Sequence, residues 1–136
     1  MNPNPQSCIK IQKEWDIVAA RQLGREIAKS VGFGTVDQAR IATAISEIAR
    51  NIYLYAASGQ VCFEEVVSNI GKKGICMIAI DSGPGIKDIS LVMQDGYTTS
   101  GGLGAGLPGV KRLMDEFDIK SEEEKGTKIK AVKWLR

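Results

Sequence analysis

The chain has 136 residues, 43% hydrophobic and 25% charged, with a formal net charge of +2. That length suits one domain burying roughly two-thirds of its unfolded surface, and the composition excludes a disordered or membrane class. No apolar run approaches the ~20 residues of a membrane-spanning helix, MNPNPQS has no signal-peptide core, and the mixed charges offer nucleic acid no basic face. A cytoplasmic protein is expected.

Cys8, Ile9 and Ile11 predict a short first strand. Asp16 is read as the cap of a helix carrying Ile17, Val18, Ala20, Leu23, Ile27 and Val31, ended by the turn Gly32–Gly34. Thr35 or Asp37 opens a longer helix to about Tyr55, with Ile41, Ile45, Ile48 and Ile52 as its buried stripe. QVCFEEVVSN and GICMIAID read as strands joined at a GKKG turn, and the second is apolar enough to be central. Asp88 to Gln94 reads as a short helix. Val110, Leu113, Met114 and Phe117 recur at helical spacing after a glycine run. Strands Asp118–Glu123 and Thr127–Leu135 turn at Lys125-Gly126, and broken alternation at Val132-Lys133 predicts a bulge or register change. With no internal repeat or linker, residues 1–136 read as one α/β two-layer sandwich, a mostly antiparallel sheet against helices.

Cys8, Cys62 and Cys76 form no CxxC pair, so reduced, buried thiols are expected rather than a disulfide or zinc site. The chain has no histidine, which excludes Ser-His-Asp and Cys-His machinery and a phosphohistidine relay. A general base must then be a carboxylate, lysine or tyrosine.

Four stretches carry candidate chemistry. On the long helix Glu47 and Asn51 stand four residues apart, about 6 Å along the axis and on one face. A carboxylate beside an amide oxygen suits a hydrated Mg²⁺ and a polarised hydroxyl. An exposed helical pair reads as readily. In AIDSGPGI, Asp81 sits where a strand leaves the sheet; Gly83 and Gly85 allow a close approach or positive φ, though a plain turn has the same letters. GGLGAG puts four glycines in six residues before a helix, a backbone cradle for an anion or a flexible loop with a cap. It is neither a Walker loop nor a Rossmann fingerprint. Gly126-Thr127 in EKGTKI is by itself a turn.

The ordered set of ExxxN on a helix, DxGxG after an apolar strand, GxGxGL before a helix and GT before a last strand is more specific than any member. It resembles the GHKL superfamily of Bergerat-fold ATP-binding proteins, which includes histidine kinase catalytic domains, Hsp90-type chaperones and anti-sigma-factor kinases. Within it, EWDIVAARQLGREIAKSVGFGTVDQARIATAISEIARNIYLYA, SGGLGAGLPGVKRLMDEF and KWLR resemble the switch serine/threonine kinases of the bacterial stressosome. The likeness spans nearly the whole chain and implies a single GHKL-type ATP-binding kinase domain. It implies Asn51 as ligand of a Mg²⁺ bridging the ATP phosphates, and Glu47, one turn earlier, as general base for a serine or threonine hydroxyl or for water. Asp81 would accept from the adenine amino group, with Gly83, Gly85 and Ile86 shaping the base pocket. Gly104, Ala105, Gly106 and Leu107 would line the phosphates, Thr127 would support Asp81, and Gly96 to Leu103 would form a short lid.

The implied partners are STAS-domain proteins, an RsbS-like substrate and an RsbR-like co-antagonist, and then an RsbU-like PPM-type phosphatase that the released kinase activates. One departure concerns charge. Anti-sigma kinases carry a lid arginine near the γ-phosphate, whereas here Gly102 aligns with it and no lysine or arginine occurs between Asp88 and Gly109. The charge that helps stabilise the transferring phosphoryl is then either missing or supplied from elsewhere, for instance by the partner as an arginine finger, and turnover without the STAS partner is expected to be slow. An anti-sigma factor sharing every ATP residue, or a binding switch using ATP only to set the lid, would have the same motifs. A histidine kinase fragment fits less well, its lid usually being longer.

Overall fold

A computed structural model describes residues 7–56, 58–86, 93–94 and 106–136. Within them the order is β1 (Ser7–Ile11), α1 (Glu14–Val31), α2 (Thr35–Tyr55), β2 (Gly59–Val67), β3 (Lys73–Asp81), α3 (Gly106–Leu113), β4 (Glu116–Glu122) and β5 (Gly126–Trp134). The strands form one sheet in the order β1-β2-β3-β5-β4, every neighbouring pair antiparallel. β3 is central, as its apolar run requires, and the helices complete the α/β sandwich expected.

Strand alternation sends Ile11, Val61, Phe63, Ile75, Met77, Ala79, Ile129 and Ala131 into the core beneath α1 and α2. From above, Ile41, Ile45, Ile48 and Ile52 enter it, each at most 3% exposed. Complete burial of an isoleucine contributes roughly 1.5–3 kcal/mol, so this stripe holds α2 on the sheet. The two long helices meet closely at Gly24, where an added Cβ would collide with Ile45 Cδ1 and lie 3.0 Å from Phe63 Cε1. Gly24→Ala gains helix propensity of about 1 kcal/mol yet overpacks a site with no slack, so a net loss of roughly 1–2 kcal/mol is expected in denaturant unfolding.

Several local expectations are corrected. Helix α1 is capped at Lys13, and Asp16 stands in its first turn, accepting from the Gln12 and Lys13 amides at 2.9 and 2.8 Å. Those two hydrogen bonds hold its carboxyl below the ordinary value. The β2–β3 hairpin tip is Ser68–Lys72, with Gly71 at φ 81°; Lys73 and Gly74 already belong to β3. Helix α3 stops at Leu113, so Phe117 extends no helical stripe but lies on β4. Of the short helix expected over Asp88–Gln94, residues 88–92 lie outside the described residues.

β5 has no bulge: its register with β3 and with β4 runs unbroken. The alternation breaks because Lys133, only 7% exposed, reaches under α3 and donates from Nζ to the Leu113 carbonyl at 2.8 Å. A lysine there satisfies a helix-terminal acceptor where an aliphatic residue would leave it orphaned. The KWLR stretch is tied by Asp115, which accepts from the Trp134 amide at 2.7 Å and pairs with Arg136.

The cysteine expectation also fails for two of three. Cys8 and Cys62 face one another across β1 and β2, Cα atoms 4.0 Å apart, and form a disulfide. They stand 54 residues apart, and the strand register, not any spacing motif, brings them together. Cys76 is the free buried thiol, its pKa pushed up by burial.

Candidate functional site

The C-terminal half of α2 carries the first group. Glu47, Arg50 and Asn51 follow at i, i+3 and i+4, so all three share one helical face. Glu47 is buried at 4% exposure although it is a carboxylate, and Asn51 is half-buried. Arg50 Nη1 donates to Glu47 Oε1 at 2.8 Å, its side chain 36% exposed against 6% for the glutamate. A buried carboxylate on a helix needs such a partner, because its desolvation is otherwise uncompensated. Sequence reasoning looked for a cation only in the segment before α3 and missed Arg50, whose signal was ExxRN, a charge of opposite sign one turn after the glutamate.

The second group lies where β3 leaves the sheet. Gly59, Asp81, Thr127 and Ser121 form one row across β2, β3, β5 and β4. Asp81 Oδ1 accepts from the Gly83 amide at 2.9 Å, which closes the turn and fixes the carboxylate. Ser121 Oγ accepts from the Ile86 amide at 2.7 Å and lies 2.8 Å from Thr127 Oγ1 and 3.0 Å from the Gly126 carbonyl. With Thr127 donating to Ser121 and Ser121 to Gly126, one hydroxyl proton each satisfies the network. The Glu124 amide donates to the Pro84 carbonyl at 2.6 Å. Ser121, which the sequence reading did not single out, therefore ties the DSGPGI loop to the last hairpin; a lone serine in SEEE carried no signal of it.

The glycines here serve contacts within the chain. A Cβ on Gly83 would lie 2.7 Å from Ala56 Cα, at the end of α2. Gly85, at φ 78°, has its backbone against the Glu122 carbonyl, and Gly126, at φ 117°, has its own against the Asp81 carbonyl. Thus Asp81, Gly83, Gly85, Ile86 and Thr127 belong to one packed unit, with the α2 terminus pressed on it. Asn51 precedes Ala56 by five residues, about 7.5 Å along the helix. Gly106, at φ 66°, and buried Leu107 open α3, which packs against α2. Gly104, Ala105 and the lid expected over Gly96 to Leu103 lie outside the described residues.

Chemically, this is a carboxylate at the end of the central strand, held in a fixed turn, beside a helix presenting a shielded carboxylate, a guanidinium and an amide. The oxygens of Asn51 and Glu47 are hard donors of the kind Mg²⁺ takes. Among the described residues there is no cluster of three or more His, Cys, Asp or Glu able to hold a metal alone. The donor set therefore fits a cation that also takes phosphate and water oxygens.

Comparison with known proteins agrees with this arrangement. The serine/threonine-protein kinase RsbT of Bacillus subtilis is 68% identical over 133 residues, covering 98% of this chain and 99% of that one. An anti-sigma F factor of a Thermoanaerobacter species is 30% identical over 100 residues, 71% of this chain and 70% of the relative. A crystal structure of the RsbU and RsbW domains of a Mycobacterium tuberculosis protein superposes with a TM-score of 0.66 at 19% identity. It covers 98% of this chain, which spans about a third (34%) of that longer one, and at that identity it speaks for the fold alone. Residues 12–133 match the family described as Histidine kinase-like ATPase domain, and the chain belongs to that family.

Proposed function

We infer that this chain is an ATP-dependent serine/threonine protein kinase, acting through residues 1–136 as one domain. The observation that carries the reading is the 68% identity, over nearly its full length, to a protein named as such a kinase. Glu47 supports it, since a general base for an acceptor hydroxyl must be a carboxylate, lysine or tyrosine in a chain with no histidine, and this carboxylate is held in place on α2 by Arg50.

In this reading Asp81 accepts from the adenine amino group, Gly83, Gly85 and Ile86 shape the base pocket, and Thr127, opposite Asp81 in the sheet, supports that side together with Ser121, which ties the Ile86 amide to the hairpin. Asn51 holds Mg²⁺, which when bound supplies neutralising charge to the phosphates. Gly106 and Leu107, at the start of α3, present backbone donors to phosphate, and the resemblance gives Gly104 and Ala105 the same role. The acceptor hydroxyl oxygen bonds to the γ-phosphorus as the bond to the β,γ-bridging oxygen breaks. The hydroxyl proton passes to Glu47 and ADP leaves with the bonding electron pair.

The proposed substrates are STAS-domain proteins, an RsbS-like antagonist with an RsbR-like co-antagonist, in the cytoplasm. The released kinase would then act as ligand of an RsbU-like PPM-type phosphatase. No helix among the described residues is long and apolar enough to cross a membrane. The test is incubation with Mg-ATP and a STAS protein from the same genome, followed by mass spectrometry. Phosphoserine or phosphothreonine on the STAS protein, absent with Asn51→Ala, is the expected result. Tight sigma-factor binding without STAS phosphorylation would instead favour the anti-sigma reading, which the distant relatives at 30% identity represent.

A further inference from the structure

We propose that Arg50 supplies, from within the chain, the positive charge that the transferring γ-phosphoryl group needs. The inference rests on the reading of Glu47 as base and deepens it. Between Asp88 and Gly109, where a lid cation would stand, the sequence has no lysine or arginine. On α2, Arg50 and Asn51 flank Glu47 one turn on, so base, guanidinium and metal-side amide form a triangle on one face. One corner is already set: Arg50 Nη1 is on Glu47 Oε1 at 2.8 Å.

A guanidinium has five N–H donors in a planar fork and loses its charge to no neighbouring group. One donor on Glu47 leaves others for anionic phosphate oxygens on the solvent side, where 36% of the Arg50 side chain is exposed. Engaging Oε1 also leaves Oε2 to take the hydroxyl proton. The same guanidinium therefore orients the base and faces the charge that develops as the β,γ bond breaks. Arg40, on the same face nearer the start of α2, is spent on Asp37 at 3.1 Å and belongs to the exposed surface.

A purely structural role, neutralising a buried carboxylate, would move stability but not the discrimination between nucleotides with and without a γ-phosphate. The test compares Arg50→Ala and Arg50→Lys with the parent chain for affinity toward Mg-AMP-PNP and Mg-ADP, and for single-turnover transfer to the STAS protein at saturating Mg-ATP. Arg50→Ala should lower transfer by roughly 10³-fold, in the range known for arginine fingers, and weaken AMP-PNP at least about tenfold more than ADP. Arg50→Lys keeps the charge and the fold while losing the fork, and should recover part of both. Guanidinium ion added to Arg50→Ala should raise its transfer rate. The proposal is overturned if Arg50→Lys folds and both variants keep the parental ratio of AMP-PNP to ADP affinity, or if Arg50→Ala transfers at the parental rate, as a partner-supplied cation would allow. Glu47→Gln, measured in parallel, separates the two readings. Full transfer by Glu47→Gln sinks the base assignment, while the nucleotide ratio of the Arg50 variants judges the cation independently.

Discussion

Glu47→Gln should lower phosphate transfer to the STAS protein by roughly 10²–10⁴-fold, the contribution of a positioned general base, while ADP affinity stays within about threefold. The amide has the shape of the carboxylate but takes no proton at neutral pH. Stability should change little, by about 1 kcal/mol or less, because Arg50 is 36% exposed and turns to water when its counter-ion is lost. The opposite substitution is less forgiving. Arg50→Ala strands a carboxylate whose side chain is 6% exposed, so it should be the less stable of the two variants. Single-turnover transfer, ADP titration and urea unfolding on both proteins check these outcomes. A transfer rate for Glu47→Gln within a factor of ten of the parent's would remove Glu47 as base and leave it a structural partner of Arg50.

The parts legible in the sequence are those with a period or an ordered motif. The isoleucine stripe of α2 marked a helix and its buried face, and it placed Glu47 and Asn51 together with only the 3.6-residue turn as geometry. The apolar run of β3 marked a central strand for the same kind of reason. What escaped depends on which strands become neighbours. Cys8 meets Cys62, and Ser121 meets Ile86, only once the sheet order β1-β2-β3-β5-β4 exists. Lys133 looked like a fault in a strand pattern because its partner, the Leu113 carbonyl, belongs to a helix end 20 residues away. The glycines show a subtler gap. Their letters in DSGPGI were legible as a requirement for close approach, but the close neighbours proved to be Ala56 and Glu122 of the same chain. The motif thus encodes the packing of the DSGPGI loop against α2 and the last hairpin.

That assembly predicts a large effect from a residue that need touch no nucleotide. Gly126 sits at φ 117°, which L side chains rarely adopt, with its backbone packed on Asp81. A methyl group there would collide with the Asp81 carbonyl oxygen and stand 3.0 Å from Ser82 Cα, against backbone that cannot rotate away. Relief requires the Glu122–Gly126 turn to back off from β3. That motion pulls Thr127 from its place opposite Asp81 and loosens Ser121 from the Ile86 amide. Gly126→Ala should therefore cost about 3 kcal/mol in urea unfolding and weaken ADP by at least about tenfold, since the carboxylate and its loop lose their support together. Glu124→Gly in the same turn is the control. Glu124 already holds φ 66° and contributes its amide, not its exposed side chain, to Pro84. Its replacement should stay within about 1 kcal/mol of the parent and leave ADP binding unchanged. Equal losses in both variants would mean that the turn is merely fragile; a loss confined to Gly126→Ala locates the constraint where the hairpin backbone rests on Asp81.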